Sequence, residues 1–321
     1  MNIEILSRSK YKTGAGHGDD IVLCLPGRVY GVFDGATDAL GTRVNGESVG
    51  RIAARTVADL VGRTAMEAAG ADLSGEQLVR AAADDLGRVN AALKLPIPAS
   101  TTLAVVFEVA AGFRIVTFGD SAVRVNGAAT YTHHKLIDEV STAARVAAFR
   151  LLRRRGLEGD ALEKAARSTV LLGFDQAVTQ GTLGLKDCRR IVDSICAQPR
   201  FAALADAARG FINGGIRTQF THANNRQSPL CYGSLNGTEP DLRTLKEVFV
   251  PREGLVSLEI YSDGYLSPPG GVRIADWERE FARIERTDFH KVSRHRCVKG
   301  STSTEFSDDR SVISLTFPVP A

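Results

Sequence analysis

The sequence predicts an α+β fold that combines antiparallel β-sheets, α-helices packed outside them and an inserted helical subdomain. Two strand-like runs come first, two helices follow, and three more strand-like runs then succeed one another with no helix between them. This order favours antiparallel sheets over alternating parallel βαβ units. The stretch 141–215 stands apart because it is rich in Ala, Leu and Arg at helical spacing. Strand-like character returns from Leu255 onward.

The composition is typical of a folded protein with a substantial core. The chain has 321 residues, of which 44% are hydrophobic and 24% are charged, and this excludes disordered, collagen-like and disulfide-scaffold classes. Its 40 Lys and Arg against 37 Asp and Glu leave a formal charge of +3. A charge this close to zero argues against a dedicated polyanion binder, so we expect no nucleic-acid partner.

Neither the cysteines nor the apolar segments indicate an exported or membrane protein. The five cysteines are scattered and include no Cys-x-x-Cys pair, which favours reduced thiols in the cytoplasm. The first residues show no cationic start followed by an apolar run. No apolar stretch approaches the ~20 residues that span a bilayer, so we expect a cytoplasmic protein without membrane contact.

Periodicity defines the elements of the first half. A Pro-Gly turn separates two strand-like runs, Ile21 to Leu25 and Arg28 to Phe33. From Glu47 the apolar residues repeat at helical spacing, and Ser74-x-x-Gln77 is a capping box that opens a second helix. Three strands are predicted next: Thr101 to Val109, Phe113 to Phe118 and Ala122 to Val125.

The second half begins with helix signals and ends with strands. Ser141 is interpreted as a helix start before Ala143, and Gly156 as a helix end after three arginines that complement the helix dipole. The elements expected after the helical stretch are a strand from Leu255 to Tyr261, a helix with Ile274, Trp277, Phe281 and Ile284 on one face, and a strand from Ser311 to Phe317.

Aspartates at the ends of these strands point to a chemical function. Asp34 and Asp263 each follow an apolar run and precede a glycine. One such aspartate is typical of a turn, but several can converge from distant positions onto a hard cation. Because no His or Cys set accompanies them, Mg²⁺ or Mn²⁺ is favoured over Zn²⁺. The aspartates concerned are Asp20, Asp34, Asp120, Asp263 and the pair Asp308-Asp309.

Six short motifs, taken in order, resemble the metal-dependent PP2C-type Ser/Thr protein phosphatases. The resemblance covers approximately 18–126 and 232–317, and the helical middle matches weakly or not at all. The motifs are Gly18-Asp19-Asp20, Val32-Phe33-Asp34-Gly35, Ser100-Thr101-Thr102, Gly119-Asp120-Ser121, Ser262-Asp263-Gly264 and Ser307-Asp308-Asp309-Arg310-Ser311-Val312.

The resemblance implies a fold, a set of domain boundaries and an activity. It implies a pair of packed antiparallel sheets flanked by helices, in one phosphatase domain over 1–321, with a flap-like helical insertion at 134–228. The implied enzyme is a signalling hydrolase that removes phosphate from phosphoserine and phosphothreonine in a protein substrate. A hydroxide shared by two Mn²⁺ or Mg²⁺ ions would attack the phosphorus. The helical insertion would offer a docking surface for a partner.

Carried over position by position, the resemblance assigns the site residues. Asp34 would bridge two metals, and the Gly35 carbonyl would bind one of them. Asp20 would be the acidic residue of the opening motif, with Asp19 in place of the usual Glu. Asp263 and Asp308 would bind the first metal, and Asp120 would bind a third, weaker one. The implied catalytic residues are Asp34, Asp20 and Asp263.

Several positions depart from the family pattern. The phosphate-binding Arg that commonly precedes the opening motif is replaced by Ala15. Lys12, Lys10 and Arg8 are candidate substitutes, although Lys is a point charge where Arg offers a bidentate fork. Ala36 stands where eukaryotic members have a proposed acid, a role for which His17 is the candidate here. Two further replacements are Ala122 for an Arg and Ser267 for a further acidic ligand.

Two alternative functions stay open. The missing Arg and the helical insertion are also typical of a catalytically weak, phosphatase-like regulatory or binding module. A metal-dependent phosphohydrolase of small molecules would need the same carboxylates.

Overall fold

Two five-stranded antiparallel sheets form the centre of the first compact unit. The computed structural model describes residues 1–13, 16–67 and 73–318, and the chain divides into two units. The first unit comprises 1–134, 233–283 and 308–321. One sheet has the order β1-β12-β11-β8-β9 and the other β10-β7-β6-β3-β2. The predicted fold class, antiparallel sheets flanked by helices, is confirmed.

Seven of the strands, namely β2, β3, β6, β7, β8, β11 and β12, agree closely with the predicted runs. The strands are β1 Asn2–Arg8, β2 Ile21–Leu25, β3 Val29–Phe33, β4 Arg43–Val44, β5 Glu47–Ser48, β6 Leu103–Val109, β7 Gly112–Phe118, β8 Ala122–Val125, β9 Ala129–Tyr131, β10 Lys246–Pro251, β11 Ser257–Tyr261 and β12 Arg310–Thr316.

Alternation along the strands places one core between the sheets and another under the helices. In β3, Tyr30 and Val32 belong to the core that also contains Ile260 and Ile313 of the other sheet. Their strand neighbours Val29 and Phe33 instead belong to the core formed with α1 and α2, because successive side chains of a strand point to opposite faces. These two helices are α1 Val49–Met66 and α2 Gly75–Leu93.

Capping explains where the two helices start. Ser48 accepts the backbone N–H of Arg51 and is the N-cap of α1. The predicted capping box of α2 is confirmed, with reciprocal bonds between Ser74 and Gln77.

Helix α9, Ile274–Thr287, buries Trp277, whose ring lies 4.6 Å from that of Tyr261.

The second unit is helical and comprises 135–232 and 284–307. Its core holds a fully buried pair, Arg145 and Glu163, whose side-chain atoms approach to 3.4 Å. Glu163 also accepts the backbone N–H of Gly300 at 2.7 Å, which joins the two segments of the unit. The helices are α3 Leu136–Arg154, α4 Gly159–Leu172, α5 Phe174–Thr179, α6 Leu185–Cys196, α7 Pro199–Ala202 and α8 Ala205–Gly214.

Two sequence interpretations were wrong or incomplete. Ser141 does not start a helix: α3 begins at Leu136, and the Ser141 hydroxyl donates to the carbonyl of Ile137 inside the helix. The sequence analysis also missed the edge strands β1, β9 and β10, whose largely exposed pattern lacks a continuous apolar run, and the two-residue strands β4 and β5. The helix end at Gly156, where φ is +91°, agrees with the prediction.

The predicted domain boundaries stay a prediction. The sequence places a helical insertion at 134–228 within one domain, whereas the compact helical unit also includes 284–307. In the described part of the chain, no helix is long and apolar enough to cross a membrane.

Candidate functional site

Asp34 lies at the end of β3, where backbone and hydroxyl groups hold it on both sides. Its carbonyl accepts the Thr101 hydroxyl at 2.8 Å and the Thr102 N–H at 3.0 Å, and its own N–H donates to the Thr102 hydroxyl at 3.3 Å. Thr102 is in turn bonded to Ser121 at 2.6 Å. The residues of the predicted threonine motif, which directly precede β6, therefore hold the Asp34 backbone in place.

Gly35 is required at its position by close backbone packing. A Cβ at Gly35 would collide with the carbonyl of Gly50 and lie 2.7 Å from that of Asp19. Gly264 has the same role after Asp263, because a Cβ there would collide with the carbonyl of Asp309. Gly35 thus lets the end of β3 approach the start of α1, and Gly264 lets the end of β11 approach the residue before β12.

Electrostatic effects on Asp34 show that the predicted aspartates are brought together. Burial, followed by the charges of Asp263, Asp20, Asp308 and Asp120 in that order, raises the pKa of Asp34 well above its usual range. Each of these neighbours raises the pKa because like charges disfavour the ionised form. Of the six aspartates chosen from the sequence, four therefore act electrostatically on a fifth, Asp34.

The two carboxylate oxygens of Asp20 differ in their hydrogen bonding. The Ser262 hydroxyl donates to Oδ2 at 2.7 Å, whereas the buried Oδ1 has no hydrogen-bond partner among the described residues. Burial and then the charge of Asp309 raise its pKa to about 8, with Asp308 contributing in the same direction. The Ser262 and Ser311 side chains oppose this shift.

Asp309 ties the opening motif to the start of β12. Its Oδ1 accepts the Lys10 N–H at 2.6 Å, and its Oδ2 accepts the Asp19 N–H at 2.9 Å. The Lys10 ammonium lies 3.7 Å from carboxylate oxygens of both Asp19 and Asp309, and it donates to the Thr37 hydroxyl at 3.4 Å. Ser48 donates to the other oxygen of Asp19.

Lys10, one of the basic candidates named from the sequence, thus lies beside the Asp19 and Asp309 carboxylates. Lys12 is half-buried and His17 is exposed, and their predicted roles toward a substrate phosphate stay predictions. Ala15, the position of the missing Arg, lies outside the described residues. Local sequence spacing gives no signal that Lys10 lies beside Asp309, because the two residues are 299 positions apart.

The donor set fits hard divalent cations. Carboxylate and carbonyl oxygens are the ligands that Mg²⁺ and Mn²⁺ prefer. Asp20 also has a buried carboxylate oxygen, Oδ1, without a hydrogen-bond partner among the described residues. The residues that could hold cations are Asp20, Asp34, Gly35, Asp120, Asp263 and Asp308. Within the described ranges, no three His, Cys, Asp or Glu side chains are already arranged around a common metal position.

Comparisons with known proteins found similarity in structure and not in sequence. No protein-family model matches the chain, and no curated protein matches it. The Mycobacterium tuberculosis serine/threonine phosphatase PstP/Ppp matches 99% of this chain over 99% of its own, at 15% identity and a TM-score of 0.48. Staphylococcus aureus Stp1, also a serine/threonine phosphatase, matches 99% of this chain over 95% of its own, at 11% identity and a TM-score of 0.46.

A third matching structure contains metal. It is the catalytic domain of the serine/threonine protein phosphatase PstP in complex with two manganese ions. The match covers 98% of this chain and 99% of the PstP chain, at 14% identity and a TM-score of 0.46.

Proposed function

We propose that this chain is a divalent-metal-dependent phosphatase that hydrolyses phosphoserine and phosphothreonine in proteins. The observation that supports this most directly is that the charges of Asp263, Asp20, Asp308 and Asp120 all act on the buried Asp34 carboxylate. Several ionised carboxylates that act on one another raise the free energy of the folded protein unless cations neutralise them. A phosphate monoester would bind where such cations neutralise its charge.

The carboxylates would hold Mn²⁺ or Mg²⁺, and the surrounding residues would position them. Asp34, the Gly35 carbonyl, Asp263 and Asp308 would hold two ions, with Asp20 beside them and Asp120 near a third. Bound in pairs, such ions supply a hydroxide at neutral pH and neutralise charge on the phosphoryl oxygens. Thr101 and Thr102 fix the Asp34 backbone, and Ser262 orients Asp20.

The test is phosphate release from a phosphoserine peptide and from p-nitrophenyl phosphate, with Mn²⁺ or with EDTA. We expect activity with Mn²⁺, loss of activity in EDTA, and at least about a hundredfold decrease in kcat for Asp34→Asn and Asp263→Asn. Asp193→Asn is the matched control, because that carboxylate is 63% exposed in the helical unit. Full activity in EDTA, or wild-type turnover by both site variants, would refute the proposal.

A phosphatase-like binding module with little turnover is the second candidate. The observation that favours it is Lys10, which already contributes positive charge between Asp19 and Asp309. Metal binding measured by calorimetry, together with no hydrolysis of any phosphopeptide, would select it. Faster turnover of free nucleotides than of phosphopeptides would instead select a small-molecule phosphohydrolase. The cytoplasmic location and the signalling role stay predictions.

A further inference from the structure

Charge is distributed unequally between the two compact units. The helical unit, 135–232 with 284–307, contains 20 Lys and Arg and 12 Asp and Glu, a formal charge of 20 − 12 = +8. The sheet unit contains the other 20 Lys and Arg and 25 Asp and Glu, a charge of 20 − 25 = −5. The overall charge of +3 therefore conceals a basic helical unit.

Several exposed arginines of this unit form no ion pair among the described residues. Others are paired, such as Arg200 with Glu139 at 2.6 Å and Arg209 with Asp193 at 2.8 Å. Arg189 and Arg286 are exposed and unpaired at separate places, whereas five more lie at the end of α3 and in the loop after residue 290. These five, called the arginine patch below, are Arg150, Arg153, Arg154, Arg294 and Arg296.

Hydrogen bonds bring the two halves of the arginine patch together. Arg150, Arg153 and Arg154 are spaced three and four residues apart in the last turns of α3, so they share one helix face. The Arg150 guanidinium donates to the Val292 carbonyl at 3.3 Å, next to the segment that carries Arg294. The end of α3 and the loop after residue 290 therefore present one surface.

Buried Arg145 attaches this loop to α3. Its guanidinium donates to the carbonyl of Cys297 at 3.1 Å, to that of Lys291 at 3.3 Å and to that of His290. Because Arg145 lies in α3 one to two turns before the exposed arginines, the loop is held against the same helix.

Asp288 fixes the loop from inside. Its carboxylate accepts the backbone N–H of Val292 at 3.0 Å, of Ser293 at 3.2 Å and of His295 at 2.9 Å. Arg296 donates to the Ser293 carbonyl at 2.9 Å, so its guanidinium is held close to the loop. A surface of this kind loses little conformational entropy when a partner binds.

We propose that the arginine patch is a docking surface for an acidic segment of a partner protein. Guanidinium groups bind carboxylates through paired hydrogen bonds, and clusters of arginine are a recurring means of recognising acidic peptide motifs. The patch occupies one helix end and one loop, which suits a short peptide. A nucleic acid carries charge along its whole length and needs an extended basic surface.

The helix dipole alone does not explain the patch. Cations in a last helical turn are favourable, which accounts for Arg153 and Arg154 but not for Arg294 and Arg296 in the loop. Like charges at close spacing also repel one another, so their concentration without carboxylate partners costs stability. An external anion would remove that cost.

The test uses a fluorescein-labelled peptide rich in glutamate and free of phosphate, with affinity measured by fluorescence anisotropy on the full chain. The peptide has no phosphate, so the result does not depend on the proposed phosphatase activity. We expect salt-sensitive binding to the wild type and at least about tenfold weaker binding to the triple variant Arg153→Glu, Arg154→Glu, Arg294→Glu. The corresponding Gln variant should weaken binding in the same direction if the Glu variant folds poorly.

The matched control is Arg190→Glu, Arg200→Glu, Arg209→Glu, which changes the net charge equally elsewhere on the helical unit. Its affinity should stay within about twofold of the wild type. Equal weakening in both triple variants would mean that only net charge matters and would overturn the proposal. So would unchanged affinity in the Gln variant, or tighter, patch-dependent binding of a single-stranded oligonucleotide.

Discussion

The carboxylate of Asp309 accepts the backbone N–H of Asp19 at 2.9 Å, across 290 residues of sequence. This bond joins the segment before β2 to the residue that directly precedes β12. The same carboxylate accepts the N–H of Lys10, and Asp309 is only 4% exposed. The acidic site is therefore assembled by one of its own aspartates, which serves as a structural acceptor.

Asp309→Ala should destabilise the sheet unit by about 2–4 kcal/mol, because it leaves the buried N–H of Asp19 and the partly buried N–H of Lys10 without acceptors. Asp309→Asn should cost less, since its amide oxygen can retain one of these bonds. The chain contains a single tryptophan, and Trp277 is fully buried in the sheet unit. Its fluorescence during urea unfolding measures the effect, with Glu76→Ala, 54% exposed on α2, as the control. Equal stability of Asp309→Ala and the control would contradict the assignment.

Asp34→Asn should make the protein more stable without metal and less responsive to metal. Burial and neighbouring carboxylates raise the pKa of Asp34, so its ionised form opposes folding near neutral pH. In EDTA at pH 8 the variant should unfold about 2–4 °C above the wild type. Addition of Mn²⁺ should raise the midpoint of the wild type and leave that of the variant nearly unchanged. Equal Mn²⁺ shifts, measured by calorimetric scanning, would count against Asp34 as a ligand.

Lys10→Gln should cost about 1–3 kcal/mol in EDTA, because Asp19 and Asp309 lose the ammonium between them. The cost should decrease when Mn²⁺ is present, since a cation nearby restores part of the lost attraction. Urea unfolding with and without Mn²⁺ measures both quantities. Lys246→Gln, an exposed lysine on β10, is the control. An equal cost under both conditions would show that Lys10 acts only through packing.

Asp288→Asn should destabilise the helical unit at pH 7 but not at strongly acidic pH. Burial raises the pKa of Asp288, but the backbone N–H groups of His295, Val292 and Ser293 outweigh it, and the net shift is downward. A lowered carboxyl pKa stabilises the fold above the unfolded value of about 3.9 and ceases to do so as the pH falls through the folded value. We expect a loss of about 1 kcal/mol at pH 7, which disappears as the pH falls through the lowered pKa of Asp288 in the folded protein. Thermal unfolding followed by helical circular dichroism measures it. A difference that persists at the lowest pH would show that the charge of Asp288 is not its source.

Local sequence patterns predicted the elements that have strong local signals. The capping box at Ser74 and Gln77 and the apolar run Ile21 to Leu25 carry their signals within a few residues, and both agree with the structure. Ser141 shows the limit of such signals, because a serine inside a helix can bond the preceding turn and resembles a cap in sequence. The edge strand β1 gave no clear signal because only one of its sides is covered.

The sequence by itself determined which residues could carry the chemistry: aspartates at strand ends, each next to residues that permit a tight turn. It also determined the alternation along the strands that packs one sheet against the other and against the helices. Only the tertiary structure decided that Asp263, Asp20, Asp308 and Asp120 act on Asp34, and that Lys10 and Asp309 stabilise the segment beside them. The physical reason is that strand pairing and backbone contacts at Gly35 and Gly264 set these distances, and such contacts leave no trace in local residue spacing.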